Sequence, residues 1–408
     1  MWSMRSSSRF DLVLFGATGF TGGLVADYLA GSGPAGLRWA IAGRDRNKLE
    51  AVARRAGDRA QPEVIVVDAS DETGLADMAA RTNAVISTVG PYAKYGSPLV
   101  AACVGAGIAY CDLTGELQWI RRMIDQHHHA AQNTGARIVH SCGFDSIPSD
   151  LGVLVLQDAA IRAHGQPAQS IVNLVGPLRG GASGGTVASM FNIADEMKRD
   201  PLTRRVLSDP YSLCDAPWPT GPDGRDSMGV GYDRTHRVFT APFIMAGGNA
   251  RIVRRSHQLL GTTWGTDFSY REMLAFPTTG KGAGRAVAMA AGTTGLLVGM
   301  AIAPVRRVLE DKLPKPGQGP SEAQRVRGSY TMNLWGHRAG WPSPLRVTVG
   351  DNLDPGYGST SRMLAEAGLA LAFDPAISGG GVLTPASALG LPLVRRLRGI
   401  GMRFDVGT

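Results

Sequence analysis

The feature that most restricts the fold is the run Phe10–Phe15 (FDLVLF), which leads directly into GATGFTG at 16–22. A run this short and this apolar is too brief for a helix and suits a strand buried on both faces of a parallel sheet. Helical spacing of apolar residues resumes at 24–29, so the order is strand, glycine turn, helix. That order turns a weak glycine pattern into a dinucleotide-binding expectation. Gly16 permits the tight turn, Gly19 lets backbone approach a pyrophosphate, and Gly22 lets the helix pack closely on the strand. Gly16, Ala17, Thr18, Gly19, Phe20 and Gly22 are therefore the expected pyrophosphate site, on the N–H groups and dipole of a helix start. The spacing is GxxGxxG rather than GxGxxG, so NAD binding does not follow automatically.

The choice of cofactor turns on the end of the second expected strand, 37–42, which runs into Gly43 and Arg44. An NAD site places a carboxylate there for the ribose 2′-hydroxyl, whereas a guanidinium suits a 2′-phosphate. Arg44 therefore points to NADP(H). Strands at 63–67, ending at Asp68, and at 84–89, ending at Gly90 and Pro91, alternate with helical stretches at 48–56 and 73–80. The pattern predicts an α/β fold, a Rossmann-type doubly wound parallel sheet with Gly16, Arg44, Asp68, Gly90 and Pro91 along one crevice.

Composition excludes several other classes. Hydrophobic residues make up 44% and charged residues 19%, which suits a chain with a buried core and not a disordered one. The 408 residues suit two domains. The four cysteines form no CxxC pair, so neither a disulfide framework nor a zinc ribbon is expected. The net charge of +8 comes without a basic run or basic–aromatic interleaving, and no nucleic-acid partner is expected. The serine-rich segment 1–9 reads as a disordered leader and not a signal peptide, because Asp11 and the glycine turn interrupt any apolar h-region. The expected location is the cytoplasm, with contact to the inner face of the plasma membrane left open.

Three further segments carry more information than the glycine turn: VGPYAKYGSPLVAACVGAGIAYCDLTGE at 89–116, CGFDSIPSD at 142–150 and TPASALG at 384–390. With 16–22, they make the chain resemble the saccharopine-dehydrogenase-like oxidoreductases, and most closely the actinobacterial trans-acting enoyl reductases, nearly end to end. The resemblance implies an NADPH-dependent enoyl reductase. Such an enzyme would serve a polyketide synthase that lacks a working reductase domain, in making long-chain cell-envelope lipids of the phthiocerol and phenolphthiocerol type. Its substrate would be an α,β-unsaturated acyl or polyketide thioester on an acyl-carrier domain.

Read without that resemblance, Tyr92 follows the fourth strand at the nicotinamide end, and is the first candidate proton donor or oxyanion partner. Lys94 and Tyr95 could reach the same cavity. Asp112 and Glu116 either orient substrate or cofactor, or tie a loop. Cys142 has no activating base beside it, and hydride transfer needs no nucleophile. His127, His128 and His129 are consecutive on a helix and point apart, so no metal site is expected. Ser149 or Asp150 could cap the helix that follows.

The Rossmann domain is expected over 1–145, with helices from 355–408 packing back on it, and an α+β substrate domain with a mostly antiparallel sheet over 146–354. In that second domain, 179–186 is a glycine-rich anion site or hinge, and 200–237 a long loop or lid. The charge-free segment 286–305 is a buried or lipid-facing helix, a shallow membrane contact or a span. Arg251, Arg254 and Arg255 could bind a substrate carboxylate, which keeps a saccharopine-type imine reductase as the first rival. A non-catalytic lipid-associated protein on the same scaffold is the second.

Overall fold

The computed structural model describes residues 9–57, 61–181, 184–215, 221–224, 226–312 and 318–407. The leader expected over 1–9 lies, except for Arg9, outside the described residues. The strands in chain order are β1 (Phe10–Phe15), β2 (Trp39–Gly43), β3 (Glu63–Val66), β4 (Thr82–Ser87), β5 (Ala109–Asp112), β6 (Arg137–Val139) and β7 (Ser170–Val175). They continue with β8 (Gly231–Asp233), β9 (Val238–Ala241), β10 (Ser269–Phe276), β11 (Tyr330–His337), β12 (Leu345–Asp351), β13 (Gly381–Leu383) and β14 (Arg403–Gly407). The chain divides into two compact units: Met1–Phe144 with Gly356–Arg396, and Asp145–Pro355 with Leu397–Thr408.

The first unit is a Rossmann-like sheet of seven parallel strands in the order β13-β6-β5-β4-β1-β2-β3. Leu12, Val13, Leu14, Ile41, Val85 and Ile86 are fully buried, as central strands covered on both faces require. Helix Thr360–Phe373 lies on this sheet at Gly368, where an added Cβ would stand 2.4 Å from Ile86 Cδ1. Ser359 makes no side-chain cap bond, and Thr360 Oγ1 instead accepts the Phe144 N–H at 2.9 Å.

The second unit is a mixed sheet in the order β14-β12-β11-β7-β10-β9-β8, antiparallel except where β7 meets β10. In β11 burial alternates strictly along the strand, the signature of a sheet with one covered face. Helix Ile147–His164 covers that face, and Gly152 brings it against Leu334 and Val349. The helix starts a turn earlier than Ser149 or Asp150 would allow as caps, because Pro148 is well placed in a first turn. Both side chains turn inward: Ser149 Oγ donates to Glu272 at 2.9 Å, and Asp150 accepts from Ser256.

Other expectations in this unit change. Residues 200–237 are not one loop, since they hold helix Pro201–Ser208 and strand β8. Of the glycine-rich segment 179–186, residues 182–183 lie outside the described residues. Segment 286–305 is not one helix either: Gly280–Ala301 ends at Ile302, and a second helix, Ala303–Lys312, follows. Among the described residues no helix is long and apolar enough to cross a membrane. The C-terminal segment is shared, with Thr360–Phe373 in the first unit while β14 pairs with β12 in the second.

Candidate active site

The order β4-β1-β2-β3 puts the carboxyl ends of four parallel strands side by side. The residues that follow them, Gly90, Gly16, Arg44 and Asp68, therefore share one edge of the first unit, where ligands of open α/β sheets bind. Gly16 has φ of +94°, which only glycine adopts freely. Its carbonyl accepts the Gly19 N–H at 3.0 Å. An added Cβ on Gly22 would stand 2.1 Å from that same carbonyl oxygen, so the helix rests directly on the turn. Ala17 is buried beneath it and Thr18 and Gly19 are exposed. Phe20 packs edge-on against Tyr357 at 5.3 Å. Helix Phe20–Ser32 has no side-chain cap and no acid in its first turn, which leaves its positive end suited to a pyrophosphate.

The neighbouring strand end settles which nucleotide fits. Asp45 spends its carboxylate as the cap of helix Arg46–Ala56, accepting the Lys48 N–H at 3.1 Å. Arg44 is exposed, and among the described residues no ion pair holds it. Asp68 accepts from the hydroxyl and N–H of Ser70, and these bonds, aided by Arg44, hold its carboxyl below the ordinary aspartate value. A free guanidinium beside an engaged carboxylate suits a 2′-phosphate better than a 2′-hydroxyl.

At the other end of the edge, two buried carboxylates tie three loops together. Glu116 accepts the N–H groups of Tyr92 at 2.8 Å and Ala93 at 3.0 Å, fixing the turn through Gly90 and Pro91, whose connecting peptide is cis. Asp112 accepts from Thr114 N–H, Ser141 N–H and the Tyr110 hydroxyl, and meets His140 Nδ1 at 2.7 Å. Ser141 is held at φ +62°, an unusual value for a residue other than glycine. His140, Ser141 and Trp119 are not legible from the sequence, because their partners lie on other strands and helices.

Tyr92 sits at this end but inside the packing. It is 4% exposed, stacks on Trp119 at 5.5 Å, and donates its hydroxyl to the Ser87 carbonyl at 3.0 Å. Burial, with Asp112 nearby, raises its pKa well above that of a free tyrosine. This geometry gives Tyr92 a packing part and does not present its hydroxyl to a substrate. Tyr95 and Lys94 are more exposed. Cys142 is fully buried, with its thiol toward the Val139 carbonyl. His128 accepts the Val382 N–H, and among the described residues no group of three or more potential ligands could hold a metal. Asp145, just after the residues following β6, is half-buried, and burial raises its carboxyl pKa to about 7.

The sequence profile described as "Saccharopine dehydrogenase NADP binding domain" matches residues 12–139. A Mycobacterium tuberculosis relative, named as a candidate trans-acting enoyl reductase, is 43% identical over 97% of this chain and 97% of its own length. A Mycobacterium ulcerans protein named trans-acting enoyl reductase is 39% identical over 98% of each chain. The chain belongs to the trans-acting enoyl reductase family. Like its NADP-binding domain, the family marks it as an NADP-dependent oxidoreductase. Its fold is shared with a solved Saccharomyces cerevisiae saccharopine dehydrogenase (L-Glu forming), at a TM-score of 0.54 and 14% identity, covering 97% of this chain and 99% of that one.

The arginine cluster that would serve an imine reductase is not available in this family member. Arg251, Arg254 and Arg255 are 2%, 4% and 1% exposed. Their guanidiniums bind Asp226, Asp223 and Asp215, together with the carbonyls of Leu207, Asp209, Pro210 and Leu213. They fasten residues 207–215, Asp223 and Asp226 to helix Ala246–Leu259, and a substrate carboxylate would have to displace those partners.

Proposed function

We propose that this protein reduces the carbon–carbon double bond of an α,β-unsaturated acyl or polyketide thioester carried on the acyl-carrier domain of a polyketide synthase. The nucleotide edge carries the reading: an uncapped helix start, a glycine turn with no room for side chains, and an exposed Arg44. NADPH, when bound, supplies the hydride that goes to the β-carbon of the substrate. The turn at 16–22 would hold the pyrophosphate and Arg44 the 2′-phosphate, with Asp68 on the adenosine side. Glu116 holds the turn at Gly90 and Pro91 at the nicotinamide end.

Reduction at the β-carbon leaves an enolate that must take a proton at the α-carbon. The Tyr92 hydroxyl is engaged with the Ser87 carbonyl, so the α-proton comes from another donor. The cell-envelope lipid pathway implied by the resemblance belongs to this reading, and so does peripheral contact of 286–305 with a membrane that receives long acyl products. The test is loss of NADPH absorbance with enoyl thioesters of increasing chain length, on pantetheine and on a carrier domain. Turnover with an imine formed from an amino acid and an aldehyde, and none with enoyl thioesters, would overturn it.

A further inference from the structure

Helix Gly280–Ala301 is held to its unit along one side. Ala286 is fully buried, Met300 joins Val187 and Phe191 in a small core, and Leu296 packs against that core. The opposite side is apolar and faces solvent. Val287, Ala291, Thr294 and Val298, spaced four, three and four residues apart, form one exposed stripe. Val287 is 57% and Val298 52% exposed, and beyond the break Ile302, Val305 and Val308 are 47%, 43% and 53% exposed. Isolated exposed valines are ordinary, but a continuous row on one face marks a surface that is covered in use.

The charges at the two ends of the charge-free stretch identify what covers it. No aspartate or glutamate occurs between Glu272 and Glu310, while Lys281, Arg285, Arg306 and Arg307 bracket the charge-free stretch. Arg306 pairs with Asp195 and lies over the Phe191 ring. Lys281, Arg285 and Arg307 are exposed, and among the described residues none makes an ion pair. A second copy of the chain fits poorly, because a two-fold contact through this face would bring these cations together without an acid to oppose them. An anionic lipid surface meets both halves: headgroups for the cations and an acyl boundary for the valines.

We infer that the Val287–Val298 stripe, with Lys281, Arg285 and Arg307, docks this protein peripherally on anionic phospholipid. This inference deepens the membrane contact in the functional reading, yet it is tested without substrate, so either can fail alone. The full chain is sedimented with vesicles of phosphatidylcholine, and of phosphatidylcholine containing phosphatidylglycerol, at low and high salt. The expected result is binding to the anionic vesicles that weakens with salt. Arg285→Gln should weaken it about fivefold, and Val298→Asp about tenfold or more. NADPH affinity and the thermal midpoint should stay unchanged in both. If Val298→Asp does not fold, Val287→Gln takes its place.

Equal binding to both vesicle types, none to either, or no effect of the stripe variants overturns the inference. So does a wild-type dimer that Val298→Asp converts to monomer in light scattering, since the stripe would then be a subunit interface.

Discussion

Replacing Arg44 by alanine tests the cofactor assignment at its most specific point. The guanidinium stands at the end of β2, exposed and without an ion pair among the described residues, so alanine breaks no internal contact of the fold. With NADPH bound, a paired set of charged hydrogen bonds to the 2′-phosphate is lost. Such bonds are worth about 1.5–3 kcal/mol when protected, and solvent screening at an exposed site brings this to roughly 2 kcal/mol. That corresponds to about a thirtyfold rise in the NADPH Kd. The Asp68 carboxylate, which Arg44 helps to hold ionised, then faces the phosphate without a counter-charge, so the loss should not be smaller. NADH, with a hydroxyl in that place, should bind the variant within about twofold of wild type. Fluorescence titration with each nucleotide measures both constants, and the NADPH effect should shrink as salt rises. An unchanged NADPH Kd, or equal losses for both nucleotides, would refute the reasoning.

Four other substitutions test single residues of the two units. Tyr92→Phe removes a buried donor to the Ser87 carbonyl, so unfolding in urea should show a loss of about 1 kcal/mol while turnover persists. A hundredfold drop in kcat at unchanged stability would instead restore Tyr92 as proton donor. Glu116→Gln sets an amide N–H against one of two buried backbone donors, at a cost of about 2–3 kcal/mol. A denaturation midpoint equal to wild type would show that Glu116 does not hold the turn at Gly90 and Pro91. Gly22→Ala forces a methyl group onto the Gly16 carbonyl, and NADPH binding should vanish even where the protein still folds. For Asp145 the folded pKa, about 7, lies above the unfolded value. Its protonated form therefore stabilises the fold at low pH, and that stability is lost as pH rises through about 7. In Asp145→Asn that step should disappear from the profile of unfolding free energy against pH; a profile with the same step assigns it to another group.

What the sequence made legible were features written in neighbouring residues. The buried strand at 10–15, the glycine turn and the arginine after β2 each follow from local pattern and need no knowledge of distant partners. The helix start at 147 and the break at Ile302 escaped because a proline placement and a local break outweighed the residue types that looked like caps or a continuous apolar span. The arginines of helix Ala246–Leu259 escaped for a different reason. Read alone, three cations on one helix look like an anion site, and only the folded chain brings Asp215, Asp223 and Asp226 to meet them. The pair of Asp112 and His140 was hidden likewise, since its members lie on adjacent strands 28 residues apart.

The same pairing of charges predicts the selectivity of the nucleotide edge as a whole. Four carboxylates lie along or near it, and each is committed to the protein's own donors. Asp45 caps a helix, Asp68 binds Ser70, Asp112 joins the loops after β5 and β6, and Glu116 holds two backbone N–H groups. Among the described residues of the edge, none of these four is left to take a ribose hydroxyl. What remains uncommitted is positive: the start of helix Phe20–Ser32, with no acid in its first turn, and the guanidinium of Arg44. An edge whose acids are internally paired and whose cations are open favours the nucleotide with the additional phosphate. An NADP(H) preference is thus predicted from where the carboxylates are spent as much as from the arginine itself.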